Sequence, residues 1–281
     1  MDPLTVAAVQ ATPGPGDVAA NASMAARLVR RAADAGASVA VLPELFLCAY
    51  HPPTLYASVA PDVPARADGS VDDARLDPLR EAAREHGIVV VVGASVRHAD
   101  GRRTCSALVV DRDGAVVVGY DKQNLCGADE KALFAPGGRG ATVEVDGWRL
   151  GLGICYDGCF PEHARAAAAD GVLGYLCPCG YLAGSEHRRD VYYAARALDN
   201  TMYVVVANSV GLVGAEPWRF NGGAAVYDPE GRAVVRAADE GEAVVTARLD
   251  VAELTRVRAA HTMLADRPTG DGAARHTLRV P

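Results

Sequence analysis

This sequence has few lysines, no excess of positive charge and no long apolar run. Its 281 residues carry 28 Lys and Arg against 35 Asp and Glu, a formal net charge of −7. An acidic balance argues against a nucleic-acid-binding protein, which usually presents a basic surface. No apolar run approaches the roughly 20 residues that cross a bilayer, so we expect neither a membrane span nor a membrane partner.

Signs of export are also lacking. The N-terminal segment MDPLTVAAVQ has no basic region ahead of an apolar stretch, which a signal peptide would have. The seven cysteines are an odd number in a long chain and do not favour a disulfide framework. The spacings Cys155-x3-Cys159 and Cys177-x-Cys179 do not match a structural zinc site. We therefore predict a cytoplasmic protein without a metal.

The scarcity of lysine makes the few that occur informative. Lys122 and Lys131 are the lysines among 28 basic residues, and they lie within one ten-residue stretch. Since arginine supplies the other cations, a retained lysine indicates a place that needs a compact ammonium group. The alternative is an ordinary surface lysine. Aromatic residues make up only 6% of the chain, which does not favour an aromatic cage around a large ring.

What the sequence does contain is an alternation of apolar strands and helices. Asn21 is predicted to cap a helix that runs to about Ala35, and Asp146-Gly147 is typical of a hairpin turn. Continuous apolar strands covered by helices indicate a sheet buried on both faces, and the hairpins make it mixed. Strands are predicted at 4–10, 37–43, 88–96, 106–110, 115–120, 141–145, 148–154, 172–177, 202–208, 222–228 and 232–237, and helices at 21–35, 73–86, 161–170 and 187–199.

The chain is predicted to form one domain over residues 1–250, followed by a tail over 251–281. No long Gly/Ser linker or charge block divides it. The strand–helix–strand unit that ends at Glu44 is similar to the unit around Cys155, and this internal similarity fits two sheets between two layers of helices.

Four side chains can carry chemistry, and three of them follow these strands. Cys155 precedes a helix start at Pro161, so free backbone N–H groups near it could lower the thiol pKa and bind an oxyanion. Glu44 follows an apolar strand, where a carboxylate is costly unless it is paired or used. Lys122 lies at another strand exit and Glu130 in the segment GADEKALFAPGG. Each has a structural alternative, but together they supply a nucleophile, a base and a cation.

These motifs resemble those of the carbon–nitrogen hydrolase (nitrilase) superfamily. LPELF with Glu44, GYDKQNL with Lys122 and GICYDGCFPE with Cys155 match its Glu, Lys and Cys in order and spacing. EKALFAPG is similar to the segment that carries the family's second Glu, at Glu130. YYAARALDNTMYVVVAN and FNGGAAVYDPEGRAV are similar to its later segments. The similarity runs over most of the domain.

The resemblance implies an α/β fold, a four-layer α-β-β-α sandwich with two mixed β-sheets. It also implies a homodimer or higher homo-oligomer, joined through helices near Cys155 and through the tail at 251–281. Two departures concern the substrate more than the chemistry. Asn124 stands where the family often has His, and Cys177-Pro178-Cys179-Gly180 stands where it usually has Pro-Ser-Ala.

By resemblance, the enzyme is a thiol amidase that needs no cofactor. Glu44 takes the proton of Cys155, and the sulfur attacks the carbonyl carbon of an amide. Lys122 and the backbone N–H of Tyr156 stabilise the oxyanion, while Glu130 orients Lys122 or the substrate. Ammonia leaves, and water then hydrolyses the thioester on Cys155.

The expected substrate is a small, aliphatic amide. Cys-Tyr-Asp followed by Phe-Pro-Glu resembles amidase branches of the family, and those that act on ω-amino amides are most similar. The alternatives are an N-carbamoyl amine amidohydrolase, a nitrilase, or an acyl or amide transferase that uses the same three residues. Tyr50, Tyr181 and Trp218 are predicted to form pocket walls, with Tyr156 beside the nucleophile.

Overall fold

Two mixed β-sheets lie face to face, and helices cover the outer face of each. The structure, a computed structural model, describes residues 1–266 and Thr277. The strands are β1 (Leu4–Gln10), β2 (Val39–Val41), β3 (Val63–Pro64), β4 (Ser70–Val71), β5 (Val89–Arg97), β6 (Arg103–Val110), β7 (Val116–Asp121), β8 (Ala141–Val145), β9 (Trp148–Leu152), β10 (Gly174–Cys179), β11 (Tyr203–Asn208), β12 (Val210–Leu212), β13 (Arg219–Asn221), β14 (Ala225–Tyr227), β15 (Ala233–Arg236) and β16 (Ala243–Leu249).

Seven α-helices occur among the described residues. They are α1 (Val18–Asp34), α2 (Pro52–Ala57), α3 (Asp77–His86), α4 (Gly127–Leu133), α5 (Pro161–Ala169), α6 (Glu186–Asn200) and α7 (Val251–Ala260), with 3-10 turns at Ala74–Leu76, Cys155–Cys159 and Thr262–Leu264. Within this part of the chain, no helix combines the length and the apolar character that crossing a bilayer requires.

The sheets are mixed, as the hairpins in the sequence predict. The first has the order β16-β1-β2-β5-β6-β7-β4, with β3 beside β5, and its parallel centre is β1, β2 and β5. The second has the order β15-β14-β11-β10-β9-β8, with β9, β10 and β11 parallel. The predicted four-layer α-β-β-α sandwich is therefore confirmed.

Alternation along β1 divides the interior into two cores. Leu4, Val6 and Ala8 face the second sheet, whereas Ala7 and Val9 pack among buried residues of α1 and α3. Successive side chains of a strand point to opposite faces, so the apolar residues of β1 serve both cores. The inter-sheet core lies directly beneath the strand ends that carry the predicted site residues.

The start of α1 differs from the prediction. Asp17 is its N-cap, and Oδ1 of this residue accepts a hydrogen bond from Ala20 N at 3.0 Å. Asn21 lies one turn inside the helix and is buried. Its Oδ1 accepts a hydrogen bond from Gly14 N, and its Nδ2 donates to Gly14 O, each at 2.8 Å. Nδ2 also donates to Leu47 O at 3.1 Å. The prediction was wrong because an Asn side chain can bond loop backbone instead of capping a helix.

The C-terminal elements extend beyond the predicted hairpins. β16 pairs antiparallel with β1 along its whole length, and α7 follows it. Helix α7 buries Leu254 and Val257, and the Arg258 guanidinium donates to backbone oxygens of Thr201 and Val172. The first ten residues of the predicted tail thus pack on their own subunit. Residues 267–276 and 278–281 lie outside the described residues, and the exchange of the tail between subunits stays a prediction.

Gly93 in β5 lies against the Pro43–Leu45 segment with no room for a side chain. An added Cβ would be 2.3 Å from Leu45 N and 2.4 Å from Pro43 O. Gly93→Ala should displace this segment and lower the free energy of unfolding by about 2 kcal/mol, as overpacking typically does. Urea unfolding measures the loss. Gly138→Ala is the control, because no atom lies within 4 Å of its added Cβ; equal losses in the two variants would contradict the argument.

Candidate active site

Four strand ends meet where the two sheets face each other. Glu44 follows β2 and Lys122 follows β7 in the first sheet, while Cys155 follows β9 and Gly180 follows β10 in the second. Glu44 N donates to Cys179 O at 3.2 Å, which links the two sheets at this point. The carboxyl ends of strands in α/β proteins are common places for functional sites. The fold thus brings three of the predicted side chains together.

Lys122 is fully buried between two carboxylates. Its Nζ lies 2.6 Å from Glu44 Oε1 and 2.9 and 2.7 Å from the two oxygens of Glu130. Glu130 also accepts hydrogen bonds from Tyr50 OH at 2.8 Å and from Cys126 N at 2.9 Å. Glu130 is therefore held from several sides, and it in turn fixes the ammonium group.

Burial and neighbouring charges give Glu44 and Lys122 different protonation behaviour. Burial, with a smaller effect from the Glu130 charge, raises the pKa of Glu44 from 4.5 to about 7, although Lys122 opposes the shift. Burial alone would lower the pKa of Lys122, but the charges of Glu44 and Glu130 raise it well above 10.5. Lys122 therefore stays charged while Glu44 exchanges a proton near neutral pH.

Cys155 begins a 3-10 turn in an unusual backbone conformation. Its φ is +44°, a left-handed value that non-glycine residues seldom adopt and that is often found at functional sites. A hydrogen bond with the Cys179 thiol lowers the pKa of Cys155, but burial and the negative charge of Glu44 outweigh it and raise the pKa above 9. Glu44 and Cys155 are close enough for each to shift the pKa of the other. The resting sulfur is therefore a thiol beside a carboxylate.

One oxygen of Glu44, Oε2, is buried and accepts no hydrogen bond from an N–H or O–H group of the described residues. The Cys155 thiol is the neighbouring donor, since its hydrogen bond opposes the rise that burial causes in the pKa of Glu44. Gly180 packs against Oε2, since an added Cβ there would lie 3.0 Å from this oxygen. Buried carboxylate oxygens are nearly always hydrogen-bonded, so Oε2 is a place where a proton can be accepted.

Asp157 is a site residue that the sequence analysis missed. Its Oδ2 accepts from Ile154 N at 3.0 Å and from Tyr120 OH at 2.8 Å, and its Oδ1 accepts from Asn124 N and Nδ2 at 2.9 Å each. It is fully buried and ties the Cys155 turn to the loop that follows β7. A carboxylate two residues into a turn is a signal for backbone capping, and this signal could have identified it.

A cavity of about 430 Å³ opens beside Cys155. All four predicted substrate-binding residues line it. The lining residues are Tyr50, Cys126, Cys155, Tyr156, Cys159, Gly180, Tyr181, Leu182, Ala183, Gly184, Ser185, Arg188, Tyr192 and Trp218. Five of these are aromatic, and four of the five are the predicted Tyr50, Tyr156, Tyr181 and Trp218. Composition averages over the chain, whereas the fold gathers these rings around one cavity.

Of the remaining cysteines, Cys126 and Cys159 are partly buried and line the cavity, and the other four are buried. Cys177 and Cys179 are fully buried, and Tyr193 OH lies 3.4 and 3.0 Å from their sulfur atoms. Within residues 1–266, no group of three or more His, Cys, Asp or Glu side chains is arranged to hold a metal ion.

Comparison with known proteins adds to this geometry. The carbon-nitrogen hydrolase family model matches residues 5–259. The chain belongs to the carbon–nitrogen hydrolase family. A hydrolase from Pseudomonas protegens is 32% identical over 269 residues, which are 94% of this chain and 89% of the relative. An (R)-stereoselective amidase from a Pseudomonas species is 35% identical over 195 residues, 68% of each chain.

A solved structure shares the fold of this carbon–nitrogen hydrolase. The amidase from Nesterenkonia sp. superposes with a TM-score of 0.78 at 30% identity, over 92% of this chain and 97% of that chain. In that structure, acrylamide has undergone Michael addition at the active-site cysteine. The resemblance that the sequence motifs indicate is therefore confirmed at the level of family and fold.

Asp157→Asn tests how the Cys155 turn is held. An amide offers one acceptor oxygen where the carboxylate has two, so Ile154 N or Asn124 N loses its partner and the turn shifts. Alkylation of Cys155 by iodoacetamide near neutral pH, followed by peptide mass spectrometry, should slow about tenfold or more.

Asp111→Asn is the matched control. Asp111 also accepts two backbone N–H groups, from Asp113 and Ala115, but it lies in the β6–β7 hairpin. This variant should react at the wild-type rate. An unchanged rate in Asp157→Asn with the fold intact would show that Asp157 does not position the Cys155 thiol.

Proposed function

We propose that this carbon–nitrogen hydrolase cleaves a small amide through a thioester on Cys155, releasing ammonia and a carboxylic acid. The observation that carries the proposal is the buried Oε2 of Glu44, to which no N–H or O–H group of the described residues donates. Glu44 and the Cys155 thiol each shift the pKa of the other. A nucleophilic thiol needs such a base, because the thiolate is the reactive form.

In the first half-reaction, Glu44 accepts the thiol proton as the sulfur of Cys155 bonds to the amide carbon. The carbonyl oxygen becomes an oxyanion, which the Lys122 ammonium and the Tyr156 N–H stabilise. Groups of this kind typically contribute a hundredfold or more to the rate each. The tetrahedral intermediate collapses as the C–N bond breaks. Glu44 returns its proton to the leaving nitrogen, so that ammonia departs.

In the second half-reaction, Glu44 removes a proton from water, which attacks the thioester carbon. The C–S bond breaks, the proton returns to the sulfur, and the carboxylic acid leaves. A base with a pKa near the working pH suits both transfers, and the pKa of about 7 for Glu44 meets this requirement. Glu130 acts as a positioning residue for Lys122, which its two contacts with Nζ support.

Trapping the acyl-enzyme tests the proposal. Wild-type protein is mixed with a panel of small amides, N-carbamoyl amines and nitriles, and its intact mass is measured with ammonia release. The amides should give an adduct of the acyl mass at Cys155, and Cys155→Ala should give neither adduct nor turnover while its circular dichroism is unchanged. Accumulation of an acyl-amine product on adding an amine acceptor would identify a transferase instead.

The cavity offers two matched control thiols. Burial raises the pKa of Cys126 to about 11 and that of Cys159 to about 12, so both stay protonated. Cys126→Ala and Cys159→Ala should retain the adduct. Full turnover by Cys155→Ala would exclude the thioester route.

The pH dependence of kcat/KM for a neutral amide reports on Glu44. Its raised pKa means that the ionised base forms only above about pH 7, so activity should rise through that pH. The raised pKa values of Lys122 and Cys155 keep both groups protonated there. The apparent value belongs to the interacting Glu44–Cys155 pair. Glu144→Gln, on the surface, should leave the profile unchanged; an acid limb near pH 4.5 in the wild type would contradict this role for Glu44.

A further inference from the structure

We infer that the cavity beside Cys155 selects amides whose far end carries a carboxylate, and that Arg188 binds this carboxylate. The inference rests on the proposed function, since the amide end of the substrate must lie at Cys155. It differs from the ω-amino amide that the motif comparison favours, because such a substrate carries a cation at its far end.

The charge on the cavity wall is the first observation. Among the described residues that line the cavity, Arg188 is the one Arg, Lys, Asp or Glu. It is exposed, and it forms no ion pair or hydrogen bond with the part of the chain that the structure describes. Arginine matches the planar shape of a carboxylate with two parallel donors.

The acidic residues near Arg188 on helix α6 are engaged elsewhere. Glu186 accepts from Gly184 N at 2.9 Å and lines a neighbouring cleft with Arg219. Asp190 pairs with Arg189 at 2.8 Å and with Arg236 at 3.2 Å. The cationic group of Arg188 therefore remains available to a ligand in the cavity.

The second observation is the direction of helix α6. Ser185 is its N-cap, and Ser185, Arg188 and Tyr192 share the face that borders the cavity, as their spacing of three and four residues requires. The N-terminal end of a helix carries a partial positive charge. In this 15-residue helix, that charge adds to the charge of Arg188 at the cavity mouth.

The third observation is the cluster buried behind Cys155. Two acidic side chains, Glu44 and Glu130, flank the single basic side chain of Lys122 there. A substrate carboxylate is repelled there and attracted at Arg188, so the neutral amide enters first. Between the two ends, Tyr156 and Tyr181 give the linking methylene groups an apolar surface. Charge therefore fixes which end of the substrate reaches Cys155.

Three amides of similar length test this selection. Glutaramate carries a distal carboxylate, valeramide is neutral, and 5-aminovaleramide carries a distal ammonium. For the wild type, kcat/KM should fall in that order, and the glutaramate-to-valeramide ratio should decrease with added salt because Arg188 is exposed. Arg188→Gln should lower that ratio about tenfold, mainly through the KM for glutaramate, and Arg188→Glu should favour 5-aminovaleramide.

Arg139→Gln is the matched control, because Arg139 is an exposed arginine that lines a different cleft. It should keep the wild-type ratio. This inference is overturned if the wild type hydrolyses valeramide without preferring glutaramate, or if Arg188→Gln leaves the glutaramate-to-valeramide ratio unchanged. Either result leaves the proposed amidase function standing. A protein that hydrolyses none of the three and forms no acyl adduct overturns the proposed function, and this inference with it.

Discussion

This site depends on the ion pairs that a buried ammonium group forms with two carboxylates. Burying each ion costs several kcal/mol, and only close contacts and complete hydrogen bonding offset that cost. Lys122 meets the condition with three contacts of 2.6–2.9 Å to Glu44 and Glu130. Strand ends from both sheets hold the cluster in place, so the rigidity of the sandwich sustains an arrangement that a flexible loop could not maintain.

The two carboxylates around Lys122 differ in how many of their oxygens are used. Both oxygens of Glu130 are occupied, with Tyr50 and Cys126 adding to the contacts from Lys122. Glu44 keeps one oxygen to which no N–H or O–H group of the described residues donates, and its pKa lies near 7. Identical functional groups thus acquire different properties from their neighbours: one is fixed as a structural anion, and the other can gain and lose a proton.

Much of the site could be predicted from the sequence because its main residues directly follow apolar strands. The scarcity of lysine pointed to Lys122 and Lys131 alike; Lys122 is buried in the site, whereas Lys131 is exposed. Asp157 was missed because it acts through backbone contacts, which leave little trace in a residue pattern. The same limit explains Asn21, whose partners lie in loops, and β16, whose pairing of Leu249 with Leu4 joins opposite ends of the chain.

That pairing has a consequence for how the chain reaches its final form. β1 (Leu4–Gln10) leaves the ribosome long before β16 (Ala243–Leu249), the strand that covers its outer edge. Until then, β1 has unsatisfied backbone groups on an apolar strand, a surface that readily pairs with another chain. Completion of this edge of the first sheet thus waits for the synthesis of β16, and a nascent chain that stalls before residue 243 is exposed to misassembly.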